Sequence, residues 1–327
     1  MSALAEIIDG FSKLRVMVIG DLMVDAYTWG KVTRISPEAP VPVVNVVKRE
    51  SRLGGAGNVV LNLASLGAQP MVFSVIGDDA TGSSLKQILV DAGLSVAGII
   101  QEAGRPTTVK ERVIAGSQQL IRVDSETEAQ ISPASVGALL AAITSAISHV
   151  DVIIFEDYDK GVLSNGLIQD VMDLAKVAGI PTVVDPKKKN FFAYQGATLF
   201  KPNLKEVKEG LKITIGDITV QNMNKVHTAL NENLHNAISF ITLSEHGVYF
   251  SDGKEQKLIP THIRNISDVS GAGDTVIAVA SLVYASSKNM LLAAEISNIA
   301  GGMVCELVGT APINKNDLAA EVAKLLT

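Results

Sequence analysis

The chain has 327 residues, 47% of them hydrophobic and 19% charged, which predicts one large α/β domain over 1–327 and excludes extensive disorder. A formal net charge of -6, from 28 Lys and Arg against 34 Asp and Glu, gives no overall attraction to nucleic acid or to an anionic membrane, so neither is expected as a partner. The one cysteine, Cys305, excludes an intrachain disulfide or a Cys-based metal framework, and Glu6 and Asp9 interrupt the stretch where a secretory signal has an unbroken apolar run. A cytoplasmic location is the expectation.

In chain order, short runs rich in β-branched residues alternate with segments of helical period, the pattern of βα units around a largely parallel sheet. Arg15 to Gly20 (RVMVIG) predicts a first buried strand. Val41 to Arg49 (VPVVNVVKR) mixes apolar with polar residues and predicts a half-exposed strand outside that alternation. A helix is predicted over 57–66, a strand over 71–76 and a helix over 81–92. Thr107 to Asp124 is again extended, as a hairpin turning at Ala115-Gly116-Ser117. Ala129 to Val150 lacks charge and is long enough to imitate a membrane span, but Pro133 and several hydroxyl residues interrupt it. Val136, Leu139, Leu140, Ile143 and Ile147 fall on one face, which predicts a surface helix over 133–148. Strands follow over 151–155, 181–184 and 238–243, separated by helices over 164–178 and 219–233. From Gly271 onward the pattern is helical, near 272–286, 290–307 and 316–326. The two exposed extended regions, about 32–50 and 106–124, are expected to form a small sheet. Its predicted place is over the carboxyl edge of the main sheet, where ligands of open α/β folds bind.

The strongest chemical signal is Asp268-Val-Ser-Gly271-Ala272-Gly273-Asp274-Thr275, followed by an apolar helical run. Glycines let the backbone approach a ligand, and successive N–H groups at a helix start cradle anionic oxygens such as those of a phosphate. The Asp274 carboxylate would repel such a ligand, so it needs another task. A general base that takes the proton of an acceptor hydroxyl as a phosphoryl group arrives is one. The other is an Asp that caps the helix beginning there.

This segment resembles the carboxy-terminal motif of the PfkB (ribokinase-like) carbohydrate kinases. Leu53-Gly54-Gly55-Ala-Gly-Asn58, with Gly77-Asp78-Asp79 downstream, resembles the family's amino-terminal motif, which implies that Gly54, Gly55 and Asn58 contact sugar hydroxyls. A dinucleotide fingerprint would need a third glycine where Val60 stands, and the Walker A pattern is absent. Asp25, in Gly20-Asp21-Leu-Met-Val-Asp25, resembles the family residue that holds sugar hydroxyls. Asn203-Leu-Lys-Glu206 resembles the motif that holds Mg²⁺ and the phosphates of ATP, mostly through water; the same spacing fits a helix capping box equally well. Ser244, Glu245 and Gly247 resemble the loop beside the nucleotide. Asn298 lies on the helix that borders adenine in the family, or is an ordinary helix-surface residue. The resemblance runs from about Arg15 to Pro312. It implies a three-layer α/β/α sandwich around a mainly parallel sheet with a small β-sheet lid, and ATP with Mg²⁺ as cofactors. Val269 and Ser270 stand where many of these kinases have Pro and Thr, and neither removes a reacting group.

The lid segments Arg34 to Val43, Arg105 to Val113 and Gln118 to Asp124, with Asp157-Tyr158-Asp-Lys160-Gly161, look like those of the heptose 7-phosphate kinases of lipopolysaccharide precursor synthesis. The resemblance implies transfer of the ATP γ-phosphoryl group to the anomeric hydroxyl of D-glycero-β-D-manno-heptose 7-phosphate. A substrate that already carries a phosphate needs cations far from Asp274, and Arg105, Lys110, Arg112 and Lys160 are the candidates; the alternative is that several are solvated strand charges. Lys187 is a further candidate for neutralising transferred charge. Fructose phosphate, tagatose phosphate and ribose kinases share the same core, and a sugar-phosphate-binding module without transfer is a third reading. In many bacteria the heptose kinase is joined to an adenylyltransferase, whose nucleotide motif is not found in these 327 residues. Edge strands in the lid invite pairing between subunits, so a homodimer through the lid is expected.

Overall fold

The first buried strand, β1 (Arg15–Gly20), has the predicted bounds in the computed structural model, which describes residues 3–116, 118–262 and 264–326. Successive side chains of a strand point to opposite faces. Here Val16 and Val18 enter one apolar layer while Met17 and Ile19 enter the other. The neighbouring strand β8 divides the same way, with Val152 and Ile154 on one side and Ile153 and Phe155 on the other. A sheet apolar on both faces must be covered twice, and this gives the three layers.

The elements run α1 (Ala3–Gly10), β1, β2 (Leu22–Ile35), β3 (Pro42–Gly55), α2 (Ala56–Ser65), β4 (Gln69–Gly77), α3 (Ala80–Asp91), β5 (Ile99–Glu102), β6 (Val109–Ala115) and β7 (Gln118–Ser125). They continue as α4 (Pro133–Ala146), β8 (Val152–Glu156), α5 (Asn165–Ala178), β9 (Thr182–Asp185), β10 (Leu199–Phe200), α6 (Leu204–Leu211), α7 (Val220–Leu234) and β11 (Ile238–Thr242). The remainder is β12 (Val248–Ser251), β13 (Gln256–Ile259), α8 (Ala272–Ser287), α9 (Met290–Val304) and α10 (Lys315–Leu325). Among the described residues the main sheet has the order β13-β12-β11-β10-β9-β8-β1-β4-β5. It is parallel from β11 to β5, and β12 and β13 extend it antiparallel.

A second sheet, β3-β2-β6-β7, is the lid. It starts earlier than the sequence suggested: β2 begins at Leu22, directly after the chain leaves β1, and not near residue 32. The turn between them is fixed by Asp21, whose buried carboxylate accepts the backbone N–H groups of Tyr158, Lys160 and Val162. Burial raises the Asp21 carboxyl to about 6, with the charge of Asp157 adding to the rise and those three N–H groups opposing it. The predicted hairpin joins β6 and β7; Ser117 of its turn lies outside the described residues. The helix predicted to reach 307 ends at Val304, because the Cys305 carbonyl is taken by the N–H groups of Ser267 and Asp268.

Among the helices whose preceding residue is described, caps separate two from the rest. Helices α3, α4, α5, α6, α7, α9 and α10 each begin on an Asp, Ser, Asn or Thr whose side chain accepts a first-turn N–H. Helices α2 and α8 begin instead on Gly55 (φ 56°) and Gly271 (φ 79°), with no side-chain cap. Both carry a glycine motif, and both leave amino-terminal N–H groups without a side-chain partner.

Candidate active site

Asp274 is the third residue of α8 and is 5% exposed. It does not cap the helix: its Oδ2 accepts from Asn58 Nδ2 at 2.7 Å and its Oδ1 from the Tyr158 hydroxyl at 2.8 Å. The two glycine motifs therefore meet at one carboxylate. Gly271 makes the meeting possible, since a Cβ there would fall 2.6 Å from Asn58 Nδ2. Burial raises the proton affinity of Asp274, the bonds from Asn58 and Tyr158 oppose that, and the charge of Asp185 adds to the rise.

On the other side of Asn58 lies the Gly54-Gly55 pair. A Cβ on Gly54 would fall 2.5 Å from Asp25 Oδ2, and one on Gly55 would fall 2.4 Å from the Asp21 carbonyl and 3.5 Å from the Tyr158 ring. The bare backbone thus lets Asp25 and Tyr158 approach the glycine pair, and Tyr158 reaches on to Asp274. Asp25 is buried, and its Oδ1 receives Arg112 Nη1 at 2.5 Å. Burial alone would make the Arg112 guanidinium less basic, but the Asp25 charge more than offsets this.

The other cations expected near a substrate phosphate are engaged differently. Lys110 Nζ lies 3.0 Å from Glu126 and 3.5 Å from Asp124, and Lys160 Nζ lies 2.8 Å from the other oxygen of Glu126. Arg105 is a strut: its guanidinium donates to the carbonyls of Ala129 and Lys160 and stands 4.0 Å from Glu102. Only Arg112 of the four is bonded to a residue of the sugar motif.

Asn203 and Glu206 form the capping box of α6, each side chain accepting the other's backbone N–H. Glu206 also receives Lys187 at 2.8 Å, and Lys187 Nζ stands 5.1 Å from the centre of the Tyr158 ring. Ser244 and Glu245 lie exposed in the turn after β11. Gly247 closes that turn with φ 87°, where a Cβ would collide with the Ile259 carbonyl. Asn298 faces inward on α9 and donates to the Pro260 carbonyl at 2.8 Å. Among the described residues no three His, Cys, Asp or Glu side chains are disposed to cage a metal. The oxygens of Asn203 and Glu206 are already engaged by the cap and by Lys187, so a Mg²⁺ ion held here would meet them through its own waters, which it gives up reluctantly.

Sequence reasoning assigned no role to four residues that the fold brings here. Glu156 ends β8, Asp185 ends β9, Lys201 follows β10 and Tyr158 lies just beyond Glu156. Lys201 Nζ is 2.7 Å from Asp185 Oδ2, and a Cβ on Gly273 would be 3.9 Å from both atoms. Burial pulls the Lys201 ammonium toward neutrality, and Asp185 followed by Glu156 overcomes that pull. Glu156 is fully buried, neither of its oxygens has a hydrogen-bond partner among the described residues, and burial with the charges of Asp185 and Asp274 pushes its carboxyl far up. The signal that could have found them is positional: all four cluster at the carboxyl ends of parallel strands.

The pfkB family carbohydrate kinase model matches residues 13–317. The chain belongs to this family of phosphotransferases. ATP and a divalent cation go with membership. The chain is 41% identical over 311 residues to the bifunctional protein HldE of Sulfurimonas denitrificans, covering 95% of this chain and 65% of that protein. It is also 41% identical over 313 residues to the HldE of Desulfatibacillum aliphaticivorans, covering 95% and 64%. It thus spans less than two thirds of the length of these curated relatives. Among solved structures, phosphofructokinase-2 from Escherichia coli in complex with potassium matches with a TM-score of 0.80 at 18% identity, over 96% of this chain and 100% of that one. Arabidopsis thaliana ribokinase complexed with ribose and ATP matches at 0.73 and 14%, over 94% and 98%. At such identities these structures establish the pfkB fold alone: the three-layer sandwich with its lid. No helix among the described residues is long and apolar enough to cross a membrane.

Proposed function

We propose that the chain transfers the γ-phosphoryl group of ATP to the anomeric hydroxyl of D-glycero-β-D-manno-heptose 7-phosphate, giving the 1,7-bisphosphate. The observation that carries this reading is the Asp274 carboxylate, held by Asn58 and Tyr158 in the first turn of uncapped α8, with Tyr158 and Asp25 both packed against the Gly54-Gly55 pair. In that reading Asp274 takes the proton of the anomeric hydroxyl as general base, and the Gly271-Ala272-Gly273 backbone steadies the incoming phosphoryl oxygens. Asp25, Gly54, Gly55 and Asn58 hold sugar hydroxyls. Asn203 and Glu206 would hold a hydrated Mg²⁺, which supplies charge neutralisation on the ATP phosphates; Lys187 is in reach of the same charge. Ser244, Glu245, Gly247 and Asn298 border the nucleotide.

The heptose assignment draws on the lid sequence and on its cations. Lys110 and Lys160 grip one carboxylate between them, an arrangement that a substrate phosphate reproduces by displacing Glu126. A coupled ADP-release assay across heptose 7-phosphate, fructose phosphate, tagatose phosphate and ribose tests it. Turnover of heptose 7-phosphate above the others is expected; appreciable turnover of ribose with none of the heptose overturns the assignment. The lid also exposes Val46, Val47, Ile121 and Val123, which supports pairing of two lids in a homodimer. Sedimentation as a monomer at micromolar concentration would refute that pairing.

A further inference from the structure

The Tyr158 hydroxyl donates to Asp274 Oδ1 at 2.8 Å while the Asn58 amide donates to Oδ2 at 2.7 Å, so each oxygen of the carboxylate is held from a different element. From this geometry we infer that Tyr158 is a positioning residue: with Asn58 it clamps the Asp274 carboxylate in one orientation and stabilises its ionised form, the form in which it can accept a proton. The inference rests on the reading of Asp274 as the base.

The surroundings make such a clamp necessary. Asp274 is almost wholly buried, and a carboxylate without donors in that setting would keep its proton. The charged groups around it pull both ways. Asp185 on β9 disfavours a further negative charge, Lys201 after β10 favours it, and Glu156 on β8, itself pushed toward its neutral form by burial and by Asp185 and Asp274, adds no charge of its own. Asn58 from α2 and Tyr158 from the loop after β8 supply the hydrogen bonds. Tyr158 is itself placed from both sides: its ring packs toward Gly55, and the Lys187 ammonium stands 5.1 Å from the ring centre. A cation over the ring draws electron density from the phenol and makes its O–H a stronger donor. Burial and the neighbouring Asp274 charge also keep the Tyr158 phenol well above its usual range, so the proton of the bond stays on the phenol.

The test uses enzyme labelled with carbon-13 at the aspartate Cγ, the Asp274 signal being assigned by its loss in Asp274→Asn. Its titration is followed in the empty protein, so the readout needs no substrate. In Tyr158→Phe, which removes one oxygen and keeps the ring, the midpoint moves to higher pH. With 3-fluorotyrosine placed at 158, a more acidic phenol and better donor, it moves to lower pH. The acid limb of kcat/KM follows, each pH unit of upward movement lowering kcat/KM on the acid side about tenfold. A side chain that merely filled space would lower activity at every pH and leave the midpoint in place. An unchanged midpoint in both variants overturns the inference, and the fluorotyrosine protein keeps the question answerable if the Phe variant does not fold. The base assignment is judged separately, by turnover of Asp274→Asn: a moved midpoint with an active Asn variant refutes the base and leaves the clamp standing.

Discussion

Lys201 Nζ sits 2.7 Å from Asp185 Oδ2, with only 3% and 7% of the two side chains exposed. Removing one member of a buried pair leaves the other charge uncompensated, at a cost of up to about 3–5 kcal/mol, and here, among the described residues, Asp185 would keep only Lys187, 3.8 Å away. Lys201→Met is expected to lose stability of that order in urea unfolding, and to lose activity besides, because the pair flanks Gly273. A variant as stable as the parent would show that Asp185 finds another partner.

Asp274→Asn keeps the backbone of the anion cradle and replaces only the proton acceptor. Turnover is expected to fall by a factor on the order of 10² or more, with ATP affinity retained by calorimetry. Activity close to that of the parent would remove Asp274 from the chemistry.

Glu156 is a carboxyl that folding buries without a hydrogen bond among the described residues. Its proton affinity in the fold is raised far above the usual carboxylate value of 4.5, by burial first and by Asp185 and Asp274 next. The folded state therefore holds a proton that the unfolded chain releases, and stability falls as pH rises above about 4.5 toward the raised folded value. Glu156→Gln carries the neutral form at every pH, so its stability relative to the parent should increase from pH 5 to pH 8, read from urea midpoints. A constant difference would mean that Glu156 is ionised in the fold.

Gly271 joins two requirements: a φ of 79° and the absence of a Cβ, which would fall 2.6 Å from the Asn58 amide nitrogen. Gly271→Ala pays a left-handed backbone penalty of about 1–2 kcal/mol and pushes Asn58 off Asp274. Both the thermal midpoint and kcat should fall; a normal kcat would mean that Asn58 keeps its bond from a new position.

Much of the fold was legible because local rules and burial agree. The ends of β1 coincide with the apolar run RVMVIG, and Ser132, Ser164 and Thr219 begin α4, α5 and α7 as caps should. The inner half of β2 was not legible. From Leu22 to Gly30 it is mostly buried on both faces, so the alternation that marks a half-exposed strand is missing, and Gly20-Asp21 reads as the end of a unit. The short strands β12 and β13, at the antiparallel end of the sheet, have four residues each and show no period. In the candidate site, the glycine motifs drew attention to Asp274 and Asn58, whose side chains meet in the fold, whereas Tyr158, Lys201 and Glu156 depend on which strand ends lie side by side. The pairing of Lys110 and Lys160 with Glu126 also needs the hairpin's position relative to β8, which no spacing in the sequence encodes.

Strand β2 runs from Leu22, directly after β1, to the tip of the lid at Ile35 and carries Asp25 on the way. Because side chains alternate along it, inserting or deleting a single residue between Leu22 and Asp25 would turn that carboxylate away from Arg112 and Gly54 and reverse what packs beneath it. The turn at 36–41 has no such arithmetic to respect. Changes in blade length can accumulate at the tip while the root stays frozen to the residue, so the outline of the lid is free to drift without moving Asp25.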